Sequence, residues 1–575
     1  MVDEEKITNE ALEASKKYNT VVEEANDYIE HFDILETITN VGNDEVFTPR
    51  KTCDMMLDSL PEEVWHNPLY KWLNPATKNS IFEREIALRL DKGLENVITD
   101  KEERRKHILQ DMIFSIGQTK FTSNVARRTL YYCSQANRKC DGLKAPDGHY
   151  VNGYAIGNGS WFDDEEGNIL TPNTDHEFYD DRGRRMPTTC KDEDRKKYKC
   201  KYCGISADSR YVDPKQREQY AYEFTHIYRL VLAKHLKQRF NRTEEKEMKF
   251  DIIIGNPPYQ LQVNESGKGL GAVPIYQNFV KQAISLNPKY LCMIIPSRWF
   301  SGGVGLDDFR NDMLKDKHIR KLYDFTDSKD CFPGVDINGG VCYFLRDASY
   351  SGECEFTNIT NGKKSTEYRK LDEFDIFIRR NDALSLVKKV LSKKEKTLSD
   401  DGGCSPQTPY GFLSTFEGTE KKTKSDDCEI LTSKGWRFVE RRLVTKSRDT
   451  IDKYKAMISK LTCEHAGTPD KNGMYRVISR MELLNPGQIC SQSYLTICPQ
   501  DTEQQAKNVY DYLRTKFVRF LIQLTLTGMN MSIDNFRFVP WLDFNEHWDD
   551  EKLYKRYNLN KEEIDVIESV IREMN

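Results

Sequence analysis

Long apolar runs are missing from this 575-residue sequence. No stretch approaches the roughly 18 to 20 unbroken apolar residues that cross a bilayer, and the opening MVDEEKITNEALEAS is acidic and polar, unlike a secretion signal. The expectation is a soluble cytoplasmic protein with no membrane partner. Surplus positive charge is missing too: a formal net charge of −5 excludes a globally basic protein, so any nucleic-acid surface must be local. The 15 cysteines are odd in number and scattered along a charged chain, which argues for reduced thiols over a disulfide framework. No G-x-x-x-x-G-K-[ST] loop is present, as a translocating motor would need. Nor is there a convincing nuclease carboxylate-lysine cluster, since Glu244, Lys246, Glu247 and Lys249 lie in a polar stretch predicted to be helical. Internal repeats are absent.

What is present suffices for large cores, with 38% apolar and 11% aromatic residues over a length that accommodates three or four domains of about 150 residues. Residues 4–40 carry apolar positions at helical spacing without Gly or Pro. Phe47, Thr48 and Pro49 then form a loop before an amphipathic helix through Met55, Met56 and Leu60 that Pro61 ends. LYKWLNPATKNSIFEREIALRL reads as strand, tight turn and helix, with Ile81, Phe82, Ile86 and Leu90 inward. MIFSIGQT is a second strand, and SNVARRTLYYCSQAN a second helix. This alternation predicts a doubly wound, mostly parallel α/β sheet.

A polar insertion at about 134–220 interrupts the pattern. It resumes with a helix at 216–239, the strand DIIIG, a helix at 275–286, the strand YLCMIIP and a hairpin of KLYDFTD with GGVCYFLRD. The chain is thus divided into an N-terminal helical segment (1–45), a catalytic domain (46–347) and a C-terminal domain (348–575). Between Lys421 and Lys460 stand 12 Lys or Arg against 6 Asp or Glu, with Trp436, Phe438 and Tyr454 interleaved. Such a patch suits nucleic acid, or simply a solvated helical surface.

DIIIGNPPYQ carries the chemistry. Three branched apolar residues run into Gly255, Asn256, Pro257 and Pro258, which no helix or central strand tolerates internally. The turn therefore fixes a side-chain amide and the ring of Tyr259 at the carboxyl edge of a sheet, where open α/β sheets bind ligands. An exocyclic aromatic amine is a poor nucleophile, and two fixed acceptors for its hydrogens position it and enrich its nitrogen. Asn256 supplies one and the carbonyl of Pro257 the other, while Tyr259 stacks on the base. A base reached this way must first leave the duplex.

Here the sequence resembles the gamma-class adenine-N6 DNA methyltransferases of bacterial restriction-modification systems, from about Val46 to Leu345, and FRFVPWLDFNEHWDDEKLYKRYNL resembles the end of one subgroup. The resemblance implies a Rossmann-like methyltransferase fold, S-adenosylmethionine as cofactor and double-stranded DNA as partner, with a separate restriction nuclease or helicase subunit as a further partner. It matches Phe47, Thr48 and Pro49 to a segment lining the cofactor pocket, and Asn74, Pro75, Ala76 and Phe82 to the cofactor loop. Asn256, Pro257, Pro258 and Tyr259 match the catalytic turn in full. The usual loop acid is Asn74 here, its two glycines are Lys78 and Ser80, and the acid after the second strand is replaced by Gly117, Gln118 and Thr119, of which Gln118 can still bond a ribose hydroxyl. Tyr343 and Phe344 offer a second ring for the base or ordinary core, and Arg298 in PSRWFSGG a phosphate contact or an ordinary surface charge. The C-terminal domain is the candidate for target recognition.

The same turn serves enzymes that methylate cytosine N4, guanine or protein glutamine amides. More than 200 residues beyond the last motif favour a protein that grips a duplex. A fused restriction enzyme and a degenerate, non-catalytic DNA-binding homologue complete the alternatives. Within the insertion, Cys200-x-x-Cys203 followed by Gly204 has the spacing of a zinc knuckle, with Cys190 and His176 or Cys140 as further ligands, so a zinc-ribbon-like insertion with a structural zinc is expected.

Overall fold

In the computed structural model, residues 46–132, 166–172, 177–200, 206–208, 222–227, 229–242, 248–261, 273–300, 305–337, 339–360, 362–374, 376–463, 469–526 and 530–574 are described. The expected helices of 4–40, most of the insertion, and Glu244, Lys246 and Glu247 lie outside them. The backbone forms two compact units. One runs up to Ile295 and adds His318–Lys321 and Tyr343–Ser351; the other takes Pro296–Lys317, Leu322–Cys342 and the chain from Gly352 onward.

Five parallel strands organise the first unit, in the order Tyr290–Pro296, Ile252–Gly255, Trp72–Thr77, Ile113–Gly117, Ile169–Leu170. The expected strands form because each is an apolar run buried on both faces, which parallel sheets require. The edge pair Ile169–Leu170 is held by Asn168, whose amide donates to the carbonyls of Leu109, Gln110 and Ile113. Strands Ile319–Phe325, Val341–Asp347, Cys354–Thr360 and Lys363–Arg369 follow along the chain. The last two, an antiparallel pair, were not anticipated: 363–369 is exposed and charged, and only its register with 354–360 makes it a strand.

Several helices differ from expectation. The helix expected at 216–239 is broken, with described segments Tyr222–His226 and Arg229–Arg239. The one expected from Ser123 begins at Lys120, because Thr119 and Thr122 form a reciprocal capping box that starts it a turn earlier.

The second unit contains two three-stranded sheets and the helices Glu503–Arg514, Lys516–Gln523, Asp550–Arg556 and Lys561–Val570. Its larger core gathers Tyr512, Phe517, Phe520 and Ile522 from the first two of these helices. The basic stretch 421–460 is not a helical surface: Cys428–Thr432 and Gly435–Val439 form a hairpin turning at Gly435, whose φ is +92°, and Tyr454–Ser459 is a strand. Its cations are unequal. Lys455 is fully buried, donates to the carbonyls of Thr450, Ile451 and Lys453, and is pulled down to about 8 by burial. Lys424, Lys434, Arg441 and Arg442 are held in ion pairs. Lys421, Lys422 and Arg448 stay exposed, as does Trp436.

Candidate active site

Between the adjacent strands Trp72–Thr77 and Ile252–Gly255 the sheet reverses its winding. From the former the order runs outward to Ile113–Gly117, from the latter outward to Tyr290–Pro296. Such a switch point leaves a crevice at the carboxyl ends of the strands. Both the segment Thr77–Phe82 and the Asn256–Tyr259 turn leave the sheet there, and Thr48, Asn74, Ala76, Thr77, Lys78 and Asn256 line one tight cavity with a volume of about 10 Å³.

Asn256 is only 2% exposed and its orientation is fixed. Its Nδ2 donates to the carbonyl of Val46 at 3.1 Å and to Thr48 Oγ1 at 3.0 Å. A carbonyl can only accept, so the nitrogen must face Val46 and Oδ1 must face away. That oxygen is buried without a hydrogen-bond partner. An acceptor is therefore held ready for a donor from outside the chain.

The segment supplying Thr48 is itself anchored. Pro49 opens the helix Arg50–Asp58, and Arg89 of the helix Ile81–Gly93 bridges Asp54 at 3.0 Å and Asp58 at 2.6 Å. Cys53 on the buried face donates to the carbonyl of Ile81, and burial pushes its thiol well above the usual range, so it serves packing.

The loop tolerates its departures from the glycine-rich pattern by specific devices. Ser80 occupies the left-handed region glycine would take, with φ +63°. Lys78 directs its ammonium to the carbonyl of Val46 at 2.7 Å. Asn74 folds back so that Oδ1 accepts from Ala76 N at 3.1 Å, packed so closely on Gly255 that a Cβ there would lie 2.5 Å from it. Gln118 N donates to the carbonyl of Thr77 at 3.0 Å, bringing the two turns together. Besides Asn256 Oδ1, the buried atoms Thr77 Oγ1, Ser80 Oγ, Glu83 Oε2 and Gln118 Oε1 have no partner. This donor and acceptor set suits a polar nucleoside with hydroxyl and amine groups.

Of the remaining expected residues, Phe82 lines the same cavity as Ala76. Phe47, Pro75, Ala76 and Phe82 are buried at the loops, as is Tyr259, whose carbonyl accepts from Ile275 N at 3.1 Å. Phe344 is 0% exposed within Val341–Asp347, a core position that leaves no face for a base, and Tyr343 donates to the carbonyl of Met55 at 3.4 Å. Arg298 is exposed in the turn Ser297–Phe300. The zinc site gains no support: among the described residues no group of three or more His, Cys, Asp or Glu is placed to hold a metal, while His176, Cys203 and Cys140 fall outside them. Cys200 is buried with Phe178 and Ala207, an apolar cluster unlike a thiolate site, and Cys190 donates to the carbonyl of Lys191. Glu83 and Ser115 went unnoticed in the sequence, although a serine inside the apolar run IFSIG and an acid among inward-facing helix positions were signals.

Residues 111–332 match the family model of the Eco57I restriction-modification methylase. An uncharacterized adenine-specific methylase of Mycoplasma pneumoniae is 46% identical over 340 residues, which are 58% of this chain and 75% of the relative. Among solved structures, a nuclease-deletion mutant of the Type ISP restriction-modification enzyme LlaGI, in complex with a DNA substrate mimic, is 12% identical with a TM-score of 0.43, covering 87% of this chain and 46% of that one. The Type IIL enzyme MmeI in complex with DNA is 11% identical with a TM-score of 0.39, covering 85% and 64% respectively. The chain thus spans about half the length of LlaGI and under two thirds of MmeI. On the strength of the Mycoplasma relative and the matched methylase segment, the chain belongs to the family of adenine-specific restriction-modification methylases.

Proposed function

We propose that Asn256 and Pro257 hold the N6 amine of an adenine swung out of a DNA duplex, so that the adenine-specific methylation of this family proceeds here by direct transfer to that nitrogen. The observation that carries the reading is the oriented, unpartnered Oδ1 of Asn256. An amine gains positive charge as it is alkylated, and a fixed acceptor in a dry site stabilises that charge without reorganisation. Tyr259 supplies the stacking ring. S-adenosylmethionine, implied by the family, supplies an electrophilic methyl group. Asn74, Thr77, Ser80 and Gln118 would hold its polar groups. The cavity, at about 10 Å³, is far smaller than the roughly 300–1,000 Å³ of typical ligand sites, so seating a nucleoside would require the 77–82 segment to move outward.

Residues 348–575 are proposed to read the DNA target, with Lys421, Lys422 and Arg448 contacting phosphates beside Trp436. A separate nuclease or helicase subunit would complete a restriction system. The test is to incubate the purified chain with unmethylated genomic DNA and methyl-labelled S-adenosylmethionine, then digest and map the modified bases. Label in N6-methyladenine within one sequence context is expected. Label in cytosine, or none despite measurable cofactor binding, overturns the assignment.

A further inference from the structure

We propose that Glu83 is the acid that receives the α-ammonium group of the methyl donor, a role for which this chain's loop offers Asn74 in place of the usual acid. The inference rests on the methyltransferase reading above. Glu83 is the one acid among the described residues lining the cavity at the switch point, and it is only 1% exposed. Its two oxygens are treated differently. Oε1 accepts from the hydroxyl of Ser115 at 2.6 Å, whereas Oε2 is buried with no hydrogen-bond partner. A carboxyl oxygen kept from water without a hydrogen-bond partner is costly unless a donor or cation arrives.

The position follows from the backbone. Glu83 lies in the first turn of the helix Ile81–Gly93, directly after the 74–82 loop, and Ser115 is the register partner of Asn74 on the neighbouring strand. The helix start favours a negative charge there but leaves Oε2 unbonded. A hydrogen-bond acceptor calls for an N–H or O–H donor. A ribose hydroxyl or the adenine amine donates without charge, a sulfonium brings charge without a hydrogen, and the ammonium brings both, so it is the group of the methyl donor that best complements a buried carboxyl.

Calorimetry on the whole chain tests this with three ligands: S-adenosylmethionine, S-adenosylhomocysteine, which keeps the ammonium but loses the sulfonium, and methylthioadenosine, which lacks both. Glu83→Gln retains shape and an acceptor for Ser115 but not the charge. It should weaken the first two ligands alike, by about 10-fold to 100-fold, the range of a hydrogen bond to a charged group, and leave methylthioadenosine unchanged. Unaltered S-adenosylhomocysteine affinity in a folded variant, or equal weakening of all three ligands, overturns the role of Glu83. Failure of the unmutated chain to bind either amino-acid-bearing ligand instead overturns the methyl-donor reading itself. Should Glu83→Gln not fold, the unmutated chain still decides: equal affinity for S-adenosylhomocysteine and its analogue with hydrogen replacing the α-amine refutes the proposal.

Discussion

Truncating Asn256 to alanine removes the one acceptor oriented by two partners, and its consequences separate chemistry from folding. Two hydrogen bonds of the amide are lost, to Val46 and Thr48. Neither acceptor is stranded in the same way: the carbonyl of Val46 keeps the ammonium of Lys78 at 2.7 Å, and the hydroxyl of Thr48 can turn toward the space vacated. At about 0.5–1.5 kcal/mol net per hydrogen bond, the folded state should lose roughly 1–3 kcal/mol. The reaction should lose more. Removing a preorganised group that stabilises developing charge costs about 10²–10³ in rate, or roughly 2.7–4 kcal/mol of barrier. Single-turnover transfer of labelled methyl to a target duplex reads the barrier, calorimetry reads cofactor affinity, and thermal unfolding reads stability. Thr48→Val is the companion: it leaves Oδ1 in place but removes one of its two constraints, so about a tenfold loss of the single-turnover rate at saturating cofactor is expected. If Asn256→Ala kept more than about a tenth of the single-turnover rate, a loss of under 1.4 kcal/mol, the assigned role would be wrong.

Other perturbations follow from the same geometry. Gly255→Ala would place a methyl 2.5 Å from Asn74 Oδ1, so Asn74 must abandon Ala76; about 1–3 kcal/mol of destabilisation and weakened cofactor binding are expected, and an unchanged melting temperature with unchanged affinity refutes the packing argument. Lys421→Ala, Lys422→Ala and Arg448→Ala together should weaken DNA binding regardless of sequence and flatten the log Kd against log salt slope by about 0.9 per lost phosphate contact; an unaltered slope removes this face from the interface. His107 is raised above its ordinary value chiefly by its hydrogen bond to Asp111 at 3.2 Å, so its charged form stabilises the fold. That contribution is complete below the unfolded pKa of about 6.5 and fades as pH climbs through the raised folded value, so Asp111→Asn should flatten melting temperature against pH above about 6.5. Identical profiles for both proteins count against it.

The alternation of strand and helix was legible because buried parallel strands are continuous apolar runs stopped by Gly, Pro and Asn, as in DIIIGNPP. The turn Asn256–Tyr259 was legible as a turn for the same reason. What escaped was decided by partners distant in sequence. The hairpin at 428–439 looks helical by charge spacing, yet cross-strand pairs such as Leu431 with Trp436 and the turn at Gly435 settle it. The strand order that puts Asn74 beside Gly255 joins residues 181 apart and leaves no local trace. Glu83 carried only a weak signal for a related reason: an acid in a helix's first turn is an ordinary feature until Ser115 is brought against it.

The carbonyl of Val46 accepts from both Asn256 and Lys78, one from the turn proposed to meet the base and one from the loop proposed to meet the cofactor. A single backbone oxygen is thereby shared property of two binding events. Any ligand that draws Lys78 away alters how firmly Asn256 is held, and a base that loads Asn256 alters the hold on Lys78. Thermodynamic reciprocity then requires that whatever factor the cofactor imposes on affinity for DNA, DNA imposes on affinity for the cofactor. The two substrates of this enzyme would bind as one cooperative system whose coupling constant is set at a loop that touches neither reacting atom.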